Sequence, residues 1–64
     1  MDKVTIREGG TTLGGTPTFW LNAVEDMNNE YGVPREAGED VAGFFHSKKE
    51  AEDYAKAQGW AVEE

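Results

Sequence analysis

Four residues near the C-terminus, Ser47-Lys48-Lys49-Glu50, constrain this chain more than any other feature, because S-x-x-E is the spacing of a capping box. The serine accepts a bond from the first free amides of a helix, and the glutamate carboxylate accepts one from the backbone N–H before it. The spacing predicts a helix over residues 48–58. Ala51, Tyr54, Ala55 and Gln58 fall on one face, Lys49, Glu52, Asp53 and Lys56 on the other, and Gly59 is the stop. Such a helix must lay its apolar face on something, and a chain of 64 residues leaves only a small sheet to receive it. A second domain is excluded, since a chain this short buries only about 60% of its unfolded surface.

The strands are read from alternation. Residues 3–8 alternate polar and apolar and end at Gly9-Gly10, after which residues 9–16, rich in glycine and threonine, read as a mobile loop. Residues 41–46 are β-branched, small and aromatic, and residues 60–62 resume an apolar stretch as a final edge strand. Residues 17–31 fit two templates. Thr16, Pro17 and Gly32 frame a helix, whereas Thr18-Phe19-Trp20 in succession and three asparagines favour a strand over residues 18–25. The strand is preferred. The expected fold is α+β: a small antiparallel sheet of three to four strands with one C-terminal helix packed on one face, in the order β-β-β-α-β. The alternative has a second helix at 17–31. In a strand, Phe19 and Trp20 must point to opposite faces, as must Phe44 and Phe45, so a sheet covered by one helix leaves one ring of each pair outside.

Composition narrows the function. The chain has no cysteine, which removes disulfides and thiolate metal sites, and no apolar run exceeds three residues, far short of the roughly 20 that span a membrane. Met1-Asp2-Lys3 does not begin an export signal, so a cytoplasmic protein is expected. A net charge of −7 disfavours direct contact with nucleic acid or anionic lipid, both of which are bound through Lys and Arg.

The densest charge lies in residues 25–40, where Glu25, Asp26, Glu30, Glu36, Glu39 and Asp40 face Arg35 alone. With Tyr31 or Trp20 as an aromatic anchor, this segment is the candidate partner-binding site, aimed at a basic surface of a larger protein. The same charge would equally suit a solvated connecting loop. Asp26, Asn28 and Glu30 stand at the alternate positions of a calcium loop, but Tyr31 replaces its turning glycine and Ala37 its closing acid. His46 is the only histidine, which precludes a triad or a two-histidine metal site, and the glycines of residues 9–16 lack the Gly-Lys-Ser/Thr of a phosphate loop. No enzyme, metal or cofactor is expected.

The order Phe19-Trp20, Val24-Glu25, then Ser47-x-x-Glu50-Ala51 opening a C-terminal helix resembles the small acidic phage-encoded inhibitors of host enzymes. The resemblance covers a minority of the chain and transfers no contact residue. It implies a non-enzymatic accessory protein that disables a host protein by docking on it. The rival expectation is a small structural or accessory domain that forms a weak homodimer through its open sheet face or edge, with the acidic segment serving solubility alone.

Overall fold

The structure, a computed structural model, describes residues 2–63. Strands β1 (Lys3–Thr11) and β2 (Pro17–Ala23) form an antiparallel hairpin. A second hairpin follows from the two-residue strands β3 (Met27–Asn28) and β4 (Pro34–Arg35), and β5 (Asp40–Phe45) then returns to pair with β2. Helix α1 (Lys48–Gln58) leads to β6 (Ala61–Val62), which lies parallel to β1. With the strand order β5-β2-β1-β6, the helix carries the chain across two intervening strands to the far edge. The α+β architecture matches the sequence expectation. The sheet is mixed and not purely antiparallel, because a helical crossover delivers β6 in the same direction as β5. No helix among the described residues is long and apolar enough to cross a membrane.

Residues 17–31 contain no second helix. In β2 the period of two wins: Leu21 and Ala23 are buried towards α1, Phe19 packs against them, and Trp20 and Asn22 take the opposite face. Gly9-Gly10 does not end β1, which runs on to Thr11. Gly10 has φ 110°, its carbonyl accepts the Thr18 hydroxyl at 3.0 Å, and the β1–β2 register shifts between Glu8 and Thr11. The glycine pair is therefore an irregularity within the ladder, of the kind only glycine adopts readily. The expected mobile loop shrinks to residues 12–16, closed by bonds between Thr12 and Thr16.

The helix has the bounds the capping box predicts. Ser47 Oγ accepts from the Glu50 amide at 3.1 Å, and the Glu50 carboxylate accepts from the His46 amide at 3.1 Å. At its other end Trp60 N–H donates to Ala55 O and Gly59 N–H to Lys56 O. Ala51 and Ala55 are fully buried, and their small side chains let α1 sit close over Val4 and Leu21. Phe45, Tyr54 and Trp60 form an aromatic series through this core, with ring centroids 5.3 and 6.2 Å apart.

Candidate functional site

Residues 24–39 leave the main sheet between β2 and β5, and the β3–β4 hairpin at their centre is held by side chains of the segment itself. Asn29 Oδ1 accepts from the amides of Tyr31 (2.8 Å) and Val33 (2.9 Å), fixing the turn. Asp26 Oδ1 accepts from the Ala37 amide at 3.1 Å and ties the base of the hairpin. Glu39 pairs with Arg35 at 3.1 Å. The hairpin is anchored to the body at two points: the Glu30 amide donates to Val41 O, and the Glu30 carboxylate accepts the Tyr54 hydroxyl of α1 at 2.7 Å. That bond, with burial and the charge of Glu30 adding to it, raises the Tyr54 pKa above 10.0.

These bonds hold an apolar tip in solvent. Tyr31 is 81% exposed and Val33 46% exposed, whereas Met27 at the base is buried. Asp26, Arg35, Glu36 and Glu39 line one shallow depression beside the hairpin. Glu25 and Glu36 are exposed and make no side-chain hydrogen bond or ion pair among the described residues. The carboxylates of Asp26 and Glu30 face different partners, the Ala37 amide and the Tyr54 hydroxyl, so the alternation of a calcium loop does not become a ligand set here. Among the described residues no three acid or histidine side chains gather as a metal site.

Of the residues singled out in the sequence, Glu25, Asp26, Tyr31, Glu36 and Glu39 thus belong to one excursion with an exposed tip. Glu30 belongs to it by backbone, but its carboxylate is turned towards α1. Trp20 and Asp40 stand on the sheet face that α1 does not cover, where Asp40 and Arg7 border one depression with Arg35, Gly38 and Glu39 of the excursion. There the Asp40 carboxylate accepts from Asn22 Nδ2, and Arg7 donates to Asn22 Oδ1 at 3.4 Å, so a polar row crosses β1, β2 and β5.

Trp20 occupies an unusual seat on that open face. A Cβ built on Gly9 of β1 would fall 2.1 Å from its indole, and one on Gly43 of β5 1.9 Å, so the ring fills the space over two glycines on the flanking strands. Phe44 stacks on it with centroids 5.4 Å apart and planes at 28°, yet remains 62% exposed. Phe44 also has φ 65°, a rare conformation for a bulky side chain. It is the extra residue of a bulge, since Phe19 pairs with Phe45 and Trp20 with Gly43. Sequence reasoning expected one ring of the Phe44-Phe45 pair outside but missed the glycine seat and the strain. The signal available was a tryptophan in a strand with glycines in the strands on either side.

No protein-family model, no curated protein and no solved structure matches this chain.

Proposed function

We propose that this protein is a non-enzymatic binding module whose β3–β4 hairpin docks on a basic surface of a larger protein, with Tyr31 as the anchor and Glu25, Asp26, Glu36 and Glu39 as the steering charges. One observation carries the reading: Tyr31 stays 81% exposed on a turn fixed by Asn29, Asp26 and Glu30. A solvated linker needs no such bracing. An exposed aromatic held in place before contact loses little entropy on binding, and tyrosines of this kind concentrate at the energetic centres of interfaces. Acidic surroundings speed encounter with a basic partner and make the complex salt-sensitive. An inhibitory role towards a host protein, as the resemblance to phage-encoded inhibitors implies, is part of the same proposal.

The test is capture from bacterial lysate on immobilised protein at low and high salt, with retained proteins identified by mass spectrometry. The native chain should retain one dominant partner that is lost at high salt, with Tyr31→Ala, and with Glu25→Lys combined with Glu36→Lys. Glu52→Lys, on α1, should retain it. Equal behaviour of the hairpin variants and the helix control would refute the hairpin as the site.

A further inference from the structure

The sheet face opposite α1 is uncovered, and its residues follow from the register. Thr5 stands opposite Asn22, and Asn22 opposite Asp40; Arg7 stands opposite Trp20, and Trp20 opposite Gly43. Lys3 lies two residues before Thr5 on the same side of β1. The face therefore carries the cations Lys3 and Arg7 on β1 and the anion Asp40 on β5, with Glu63 just past β6 beside Thr5, and with Trp20 of β2 and the stacked Phe44 towards the middle.

We infer that this face receives a second copy of the same chain, packed sheet on sheet about a two-fold axis that runs along β2. Such an axis lays the β5 side of one copy over the β1 side of the other. Asp40 then meets the row of Thr5 of the second copy, with Lys3 and Arg7 on either side of it, both long enough to reach across a sheet spacing of about 10 Å. Phe44 meets Arg7 of the second copy, a cation over an exposed ring, and the two Trp20 indoles approach at the axis. This order of β1 over β5 sets Asp40 of each copy across from Lys3 and Arg7 of the other, in addition to the row of Arg7, Asn22 and Asp40 within each copy. A uniformly acidic face, as the net charge of −7 would suggest, could not do so. Four strands at about 4.8 Å spacing and about 20 Å length offer some 300–400 Å² per copy, half or less of the roughly 800 Å² that stable partners bury, so the dimer is weak and forms only at high protein concentration.

The experiment uses sedimentation of the full chain at concentrations up to about 1 mM in about 0.15 M salt, where long-range repulsion between acidic copies is screened. The native protein should pass from monomer towards dimer mass. Arg7→Asp alone and Asp40→Arg alone should each remain monomeric, because each places like charges opposite one another twice. An equimolar mixture of the two variants should recover the dimer, because the mixed pair restores opposite charges at both contacts. Phe44→Asn, which tolerates the left-handed backbone, should weaken association about tenfold with an unchanged fold by amide spectra. A native protein that stays monomeric, or single variants that dimerise like the native chain, would overturn the inference. So would variants that are folded but whose mixture stays monomeric. These variants border Arg35 and Glu39 at the base of the hairpin but leave Tyr31, Glu25 and Glu36 untouched, so the capture experiment on those three residues tests the hairpin separately.

Discussion

At the scale of single residues, the open face is where this sequence departs from the easiest solution for a strand. A glycine in a strand weakens it, and a phenylalanine at φ 65° costs of order 1–3 kcal/mol, yet both occur side by side in β5. The indole of Trp20 explains the glycine. Gly43→Ala drives a methyl group into the ring and should destabilise the protein by about 1–3 kcal/mol, as overpacking does. Phe44→Asn acts in opposite directions at once: it loses a stacking contact worth about 0.5–1.5 kcal/mol and relieves the left-handed strain by a similar amount. Urea unfolding should therefore show a clear loss for Gly43→Ala and a change within about 1 kcal/mol for Phe44→Asn. The reverse order would mean that the ring of Phe44, and not the seat of Trp20, stabilises this face.

At the scale of elements, legibility followed the range of the interactions. Helix α1 could be read to its ends because Ser47, Glu50 and Gly59 act within one turn of themselves. The core of β2 followed from its alternation, and β5 came within one residue. By contrast, the continuation of β1 past Gly9 depends on Thr18 bonding across to Gly10, and the parallel placement of β6 on amide bonds to Asp2 and Val4 far away in sequence. The β3–β4 hairpin lies in the acidic segment of residues 25–40, which reads from sequence either as a partner-binding patch or as a solvated connecting loop, with no strand expected in it. Its turn chemistry, Asn29 with Gly32, was present, but two-residue strands are too short for periodicity to reveal. The candidate site was legible as composition only: the charges and Tyr31 were visible, and the bonds that brace them were not. The Glu30–Tyr54 tether makes a further prediction. With the tyrosine pKa raised in the fold, the neutral hydroxyl contributes stability that is fully present below the unfolded value near 10.0 and lost as pH rises through the folded value. Tyr54→Phe should be less stable than the native chain by about 0.5–1.5 kcal/mol at neutral pH, the net worth of one hydrogen bond. Denaturant midpoints should converge as pH climbs past 10.0, and a gap that stays constant would show that the hydroxyl contributes nothing through its proton.

At the scale of the whole molecule, the decisive residue lies almost at the end of the chain. A domain of 64 residues has a stability of about 3–10 kcal/mol in all. Trp60 is 9% exposed and closes the aromatic series from Phe45 through Tyr54, and the amides that follow it bond to Asp2 and Val4. The residues after α1 therefore finish the core and the sheet edge together. Trp60→Ala removes a buried ring at a cost of about 3–5 kcal/mol, comparable with the whole margin. It should leave a large part of the population unfolded at 25 °C, seen as loss of amide dispersion and of helical circular dichroism together. Trp60→Phe keeps an aromatic edge against Tyr54 and should remain folded with a lowered midpoint. If Trp60→Ala instead kept its helix and lost only the β6 pairing, folding would not be a single cooperative step. The acidic hairpin, anchored to α1 through Tyr54, would then keep its shape in a partly opened protein.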